Sequence, residues 1–301
     1  MNLAPIILFV YSRKDTLEKT INTLKINYLA SESDLIIYAD GPKSEKDIDS
    51  VENVRSYLKT ITGFKTIQIN LSDKNKGLAK STIYGVTEVL RSYNSCIVVE
   101  DDLVSSRNYL NYMNEALYFY KEYSQIFSIA GFSIPIVNKT SFDVYFTQRA
   151  NSTGWATWRN RWEQIDWEVK DYGEFKFDIK KRKAFNQMGS DMCHMLDKQM
   201  CGKLNSWAIR WCYHQFKYHL FSVHPFVSKI ENIGFGFENS TNTKEVFNRF
   251  ETVLDNGERI EFSFSSEIKL DKYIIKQFTK PFTISSRVKY KLINIFNRLF
   301  N

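Results

Sequence analysis

The first 130 residues alternate short apolar runs with longer stretches in which apolar side chains recur every three or four positions. Ile6–Tyr11 is an apolar run, and Asp15–Tyr28 behind it sets Leu17, Ile21, Leu24 and Tyr28 on one helical face. The pair of patterns repeats as strand Leu35–Ala39 with helix Ile48–Ile61, strand Thr66–Leu71 with helix Leu78–Leu90, and strand Ser95–Val99 with the aromatic-rich helix Tyr109–Tyr123. Strand Ile126–Ala130 closes the series. Asp40-Gly41-Pro42 ends the second strand as a strong turn, and Asn75-Lys76-Gly77 opens the third helix. Runs such as Ile97-Val98-Val99 lack polar alternation, as expected of strands buried on both faces. Repeated β-α-β units predict a mostly parallel sheet with helices on both sides.

After Gly131 the pattern loosens. Residues 132–245 are richer in Trp and Asn and run irregularly, and the Lys/Asp-rich stretch 168–183 reads as solvated surface. Met195–Lys217 has helical character with an interruption near Gly202. Asp255-Asn256-Gly257, between Phe250–Leu254 and Arg259–Phe262, predicts a hairpin. Ser285–Phe300 places Val288, Leu292, Ile293, Ile295, Phe296 and Leu299 among Arg287, Lys289, Lys291 and Arg298, a basic amphipathic helix. It fits two roles, lying on an anionic membrane surface or packing on its own domain. The chain thus divides into an α/β half (1–131), a second half of the same domain (132–245), and a C-terminal hairpin and helix (246–301).

Composition narrows the classes. With 301 residues, 43% hydrophobic and 25% charged, the chain is a soluble globular protein with a substantial core. No apolar stretch approaches the roughly 20 residues that span a bilayer. A net charge of +7 favours phosphates or anionic surfaces, while no recognised motif points to nucleic acid. Four cysteines without a Cys-x-x-Cys pair read as thiols in a reducing compartment. Pro5–Val10 lacks a charged leader and cleavage site and reads as a first strand rather than a signal peptide. The setting expected from these features is cytoplasmic. The 15% aromatic content suits stacking on sugars or bases, and serves equally as core.

The chemistry concentrates where Cys96-Ile-Val-Val ends in Glu100-Asp101-Asp102. Three carboxylates would emerge at the carboxyl end of a buried strand, where open α/β sheets place their ligands. Adjacent acids repel, so a cation is their natural partner. Mn²⁺ or Mg²⁺ take oxygen ligands and often bridge one or two carboxylates to substrate phosphates. A solvated acidic turn is the plainer alternative.

Four blocks, Val10-Tyr11-Ser12-Arg13, Tyr38-Ala39-Asp40-Gly41, Asn75-Lys76-Gly77-Leu78-Ala79 and Val99-Glu100-Asp101-Asp102-Leu103, together resemble a group of bacterial nucleotide-sugar-dependent glycosyltransferases. These have the GT-A fold, a Rossmann-like α/β arrangement, and are related to the Golgi N-acetylglucosaminyltransferase that begins complex N-glycans. Arg149–Trp162 and Asn205–Trp211 extend the resemblance, so that it covers roughly residues 4–245. It implies a UDP-sugar donor, Mn²⁺ or Mg²⁺, and a glycan or lipid-linked oligosaccharide acceptor in surface polysaccharide synthesis, with hexosyl or N-acetylhexosaminyl transfer. Arg13 would lie over the nucleotide diphosphate, Tyr11 beside it would bind the nucleotide-sugar, Asp40 would accept a hydrogen bond from the base, and Asn75, Gly77 and Lys80 would line the nucleotide-sugar cleft. A helix starting at Gly77 would offer backbone N–H groups to an anion. Asp102 would ligate the metal, with Glu100 and Asp101 facing ribose or donor sugar. Arg149 would assist departure of the nucleoside diphosphate, and Trp155 would form a wall against donor and acceptor sugars.

Two departures from the family concern the general base. The Golgi relative carries an Asp just before a tryptophan, whereas Asn205-Ser206-Trp207 has no carboxylate there and Ser206 stands near its place. Asn242 takes the position of a histidine that the relatives tend to carry. Glu163, Asp166, Glu231 and Glu238 are substitutes for the base, and inverting and retaining courses both stay open. Two other functions fit the same residues. One is a sugar nucleotidyltransferase, although the first loop lacks the Gly-rich, Arg/Lys-dense triphosphate cradle. The other is a non-catalytic glycan- or nucleotide-binding protein with a decayed site.

Overall fold

A computed structural model describes residues 2–234 and 250–300. The chain runs β1 (Ile6–Val10), α1 (Lys14–Lys25), β2 (Asp34–Ala39), α2 (Ile48–Leu58), β3 (Thr66–Leu71), α3 (Leu78–Ser92), β4 (Ser95–Glu100), β5 (Leu103–Ser105), α4 (Tyr109–Phe119) and β6 (Ile126–Ala130). Then come β7 (Val144–Thr147), β8 (Trp155–Trp158), α5 (Arg159–Trp162), α6 (Tyr172–Phe175), α7 (Ile179–Phe185), α8 (Met192–Met200) and α9 (Trp207–Lys217). β9 (Phe221–Pro225), β10 (Ile230–Asn232), α10 (Lys272–Thr279) and α11 (Ile284–Phe300) complete it.

The main sheet has the order β3-β2-β1-β4-β8-β6-β9-β7. β3, β2, β1 and β4 run parallel, with Ile6 in register with both Leu35 and Ile97. β8 is antiparallel to β4 and β6, and β7 is an antiparallel edge on β9. This mostly parallel sheet flanked by helices is the α/β architecture expected. The order turns back at β1: the chain leaves to β2 and β3 on one side and returns to β4 on the other. Such a switch point opens a crevice beyond the carboxyl ends of β1 and β4.

Packing follows the amphipathic stripes. Leu17, Ile21 and Leu24 of α1, Val54 and Leu58 of α2, and Leu110 and Met113 of α4 cover one sheet face. Val86, Val89 and Leu90 of α3, Leu196 of α8, and Trp207 and Trp211 of α9 cover the other. A third, smaller cluster joins Phe132 and Tyr145 to Phe278 and Phe282 near α10. β3 and β6 match the sequence expectation residue for residue, β3 as a polar/apolar alternation on a half-exposed strand and β6 as a fully buried run ended by Gly131.

Two expectations are corrected. No hairpin forms around Asp255-Asn256-Gly257; Leu254 makes only an isolated parallel bridge with Ser228. Asp255 is instead drawn inward by Lys229, which is 4% exposed and would otherwise be an uncompensated buried charge. Asn108 Nδ2 donates to the same carboxylate at 2.9 Å. Stretch 168–183 is not wholly solvated surface: it forms α6 and most of α7, and buried Phe175 anchors it, packing on Tyr213 with centroids 4.8 Å apart.

Candidate active site

The crevice at the switch point is a cleft of about 1170 Å³. Its floor is the end of β4. Ile97, Val98 and Val99 are at most 1% exposed, and the chain then turns sharply through Asp101 and Asp102 into β5. β5 pairs with β10, and β10 delivers Ile233, whose N–H donates to the Asp102 carbonyl at 2.9 Å. Gly234 then lies directly on the Asp102 carboxylate; a Cβ there would fall 2.1 Å from Oδ2. From the other side Arg13, preceding α1, donates through Nη2 to Asp101 Oδ1 at 2.5 Å and Asp102 Oδ2 at 2.9 Å. The Tyr11 N–H reaches Asp101 Oδ2 at 3.3 Å. The acids are thus clamped between two chain segments, with Asp102 Oδ1 buried and lacking a hydrogen-bond partner.

Burial, reinforced by the Asp102 and Asp101 charges, pushes Glu100 up to about 8; Arg13 only partly offsets it. Burial likewise pushes Asp101 up to about 6 against the pull of Arg13. Both groups therefore hold protons in the folded chain at pH values where the unfolded chain has released them. The contribution of these two acids to stability must fall as pH rises from about 4.5 to about 8, while the buried neutral His214 and His224 act in the opposite sense below about 6.5. The readout is therefore a difference: without added metal, the melting temperature of wild type minus that of Glu100→Gln should fall between pH 5.5 and pH 8. A wild-type minus variant difference that is flat with pH would contradict this.

Asp40 lines the cleft with its carboxylate already bound by the chain. Its carboxylate accepts from its own Gly41 N–H at 3.0 Å, from Lys76 N–H at 2.8 Å, and from Gly77 N–H at 2.9 Å. Ser81 Oγ adds a fourth donor at 3.4 Å. Asp40 therefore ties the Lys76-Gly77 turn ahead of α3 to the end of β2, while it lines the cleft and leaves the first-turn N–H groups of Leu78, Ala79 and Lys80 to other partners. Gly77, at φ +74°, turns the chain into α3 in a conformation other residues resist. Asn75 donates Nδ2 to the Gly41 carbonyl at 2.9 Å and lines the cleft. Lys80 is exposed and lies off the cleft wall, where Lys43, Lys76 and Lys203 supply a basic rim.

The opposite wall rests on a tryptophan cluster. Trp155, on β8, packs against Trp162, Trp207 and Trp211 with centroids 5.6, 5.0 and 4.6 Å apart. It is 1% exposed and does not line the cleft. The tryptophan that lines the cleft is Trp207, in the Asn205–Trp211 block, whose helix face, with Trp207 and Trp211 at i and i+4, is expected on the acceptor side. Ser206 lines the cleft but is the N-cap of α9, its Oγ accepting from Ile209 N–H at 3.4 Å. That placement makes it a helix cap rather than a base.

Arg149 lines the cleft in a bidentate pair with Asp191, both contacts at 2.9 Å, and lies 3.9 Å over the Phe282 ring. Burial opposes ionisation of Asp191, yet the Arg149 charge and its hydrogen bonds outweigh it and hold the carboxyl below its ordinary range. Asp191 is a cleft residue that sequence reading missed; nothing in its local sequence marks it, because its partner is 42 residues away. Glu163, Asp166 and Glu231 lie off the cleft walls, whereas Glu238 and Asn242 fall outside the described residues. His224 borders the cleft but is fully buried, and burial pushes it down to about 4, so it is neutral.

Among the described residues no group of three or more His, Cys, Asp or Glu could cage a metal ion. The unpartnered Asp102 oxygen fits a different arrangement. A hard divalent ion taking one protein carboxylate and completing its shell with phosphate oxygens and water suits this floor.

No family model matches the chain, and neither does any curated protein. Among solved structures it is similar to a mannosyltransferase, PcManGT from Pyrobaculum calidifontis, in complex with GDP-Man and Mn²⁺. The TM-score is 0.33 at 9% identity, over 53% of this chain and 48% of that one. S. aureus TarS 1-349 gives a TM-score of 0.35 at 12% identity, over 56% and 49% of the two chains. Longer S. aureus TarS gives 0.33 at 14%, over 54% and 30%. The match therefore spans half or less of each of these proteins.

Proposed function

We propose that the chain is a nucleotide-sugar-dependent glycosyltransferase, using a UDP-sugar with Mn²⁺ or Mg²⁺. The acceptor would be a glycan or lipid-linked oligosaccharide in surface polysaccharide synthesis. The observation that carries this reading is the buried, unpartnered Asp102 oxygen at the carboxyl end of β4, on the floor of a cleft with a lysine rim. The sequence blocks that resemble bacterial glycosyltransferases support it. Residues 1–131 would hold the donor and 132–245 the acceptor, and four free cysteines suit a cytoplasmic setting.

In this reading Asp102 contributes one oxygen to the metal, and Arg13 keeps Asp101 and Asp102 side by side against their repulsion. A bound divalent ion supplies charge stabilisation to the departing diphosphate. Of the Arg13 nitrogens, Nη2 contacts the acids, and the remaining N–H groups can meet a phosphate oxygen. Lys43, Lys76 and Lys203 draw the diphosphate to the rim. Asp191 holds Arg149 as a fixed positive charge facing the cleft, and Trp207 with Met195 gives the acceptor side an apolar surface.

The test is a panel of UDP- and GDP-sugars assayed for nucleotide release with Mn²⁺, Mg²⁺ or chelator. Metal-dependent UDP release from one donor is expected, faster with a glycan acceptor. Pyrophosphate release from a nucleoside triphosphate would identify a nucleotidyltransferase instead, and tight nucleotide binding without turnover a binding protein.

A further inference from the structure

α11 is amphipathic in the opposite sense to a helix that serves its own core. Toward the protein it turns Arg287, whose Nη1 donates to Ser190 Oγ at 3.2 Å, and Asn294, which is 8% exposed. Its apolar residues Ile284, Val288, Leu292 and Ile295 face outward, 70, 54, 61 and 46% exposed. At 3.6 residues per turn these four fall within about 80° of arc. Lys289 and Lys291, both exposed, flank the stripe on its two sides. The helix contains no acidic residue. A helix packed on its own domain buries such a stripe; this one buries the other edge.

We propose that α11 lies in the interface of an anionic bilayer, its apolar stripe toward the acyl chains and its lysines among the headgroup phosphates. Charge chooses this occupant. Two copies meeting through the same face would set Lys289 and Lys291 of one against those of the other, with no acid on either helix to pair them. A phosphate surface neutralises them all. No described helix is long and apolar enough to cross a membrane, so the contact is along the surface. The proposal does not depend on what the cleft does. It does place a bilayer near one end of it, since Phe282, just ahead of α11, lines the cleft and stacks on Arg149.

The full chain should sediment with vesicles of phosphatidylcholine and phosphatidylglycerol, less so as salt is raised, and far less with phosphatidylcholine alone. Lys289→Glu with Lys291→Glu should cut partitioning by at least about 30-fold, from about 1 kcal/mol per basic residue at such a surface. Leu292→Asp, tested separately, should lower it as well, with far-UV circular dichroism unchanged in both variants. The proposal is overturned if anionic vesicles do not bind the protein or if the double variant binds as well as wild type. A dimer in solution that Leu292→Asp splits, without vesicle binding, would assign the face to a second copy and equally overturn it.

Discussion

Asp102→Asn should leave the protein folded and cut metal-dependent sugar transfer by about 1000-fold. The substitution keeps the shape and leaves an oxygen for Arg13 but removes the anionic ligand. Several kcal/mol of charge stabilisation on the leaving diphosphate go with it, and about 4 kcal/mol corresponds to that factor. The fold should not suffer, because one of three crowded carboxylates is neutralised and mutual repulsion falls. The check is paired: turnover on the best donor from the nucleotide-sugar panel, and UDP affinity by calorimetry with and without Mn²⁺. A variant whose UDP affinity still rises with Mn²⁺ as in wild type would remove Asp102 from the metal site.

Gly234→Ala should be nearly as damaging, although the residue carries no chemistry. The added carbon would sit 2.1 Å from Asp102 Oδ2 and 2.8 Å from its Cγ, distances that no contact tolerates. The carboxylate must swing away, and Arg13 Nη2, which bridges Asp101 and Asp102, must release it or follow. A displacement near 1 Å at a catalytic group costs on the order of 100-fold in rate. The expected result is that loss in turnover, with weaker Mn²⁺-dependent UDP binding and little change in melting temperature, because the strain is relieved by one side chain. Wild-type kinetics in Gly234→Ala would show that the carboxylate has room to spare.

Much of the first half was legible in the sequence because its information is local. Ile97-Val98-Val99 declares a buried strand by composition, and the acids behind it inherit their position from that strand. Arg13 follows from the end of β1 in the same way. What local patterns could not convey were the partners. Asp40 reads as a turn residue or a ligand contact, and only the folded loop reveals that it holds the Lys76-Gly77 turn ahead of α3. Ser206 resembles a remnant of a base until α9 begins beside it. Trp155 and Trp207 are equivalent as letters, and both are buried; which of them lines the cleft depends on how α9 packs beside β8. The Asp255 segment has hairpin chemistry, yet a buried Lys229 more than twenty residues away claims its carboxylate. The Arg149–Asp191 pair spans loops that acquire a common wall only in three dimensions.

The tryptophan cluster behind the cleft gives the protein a built-in optical reporter. Trp207 lines the cavity, and its ring is 5.0 Å from Trp155 and 5.4 Å from Trp211. At such spacing excitation passes readily among the indoles, so a change at the member that lines the cleft, itself only 3% exposed, is read by the whole group. A sugar or nucleotide seated against the cleft-lining edge of Trp207 would therefore shift or quench emission without any added label. Binding, metal preference and the effect of each variant could then be followed by titration before an acceptor is known.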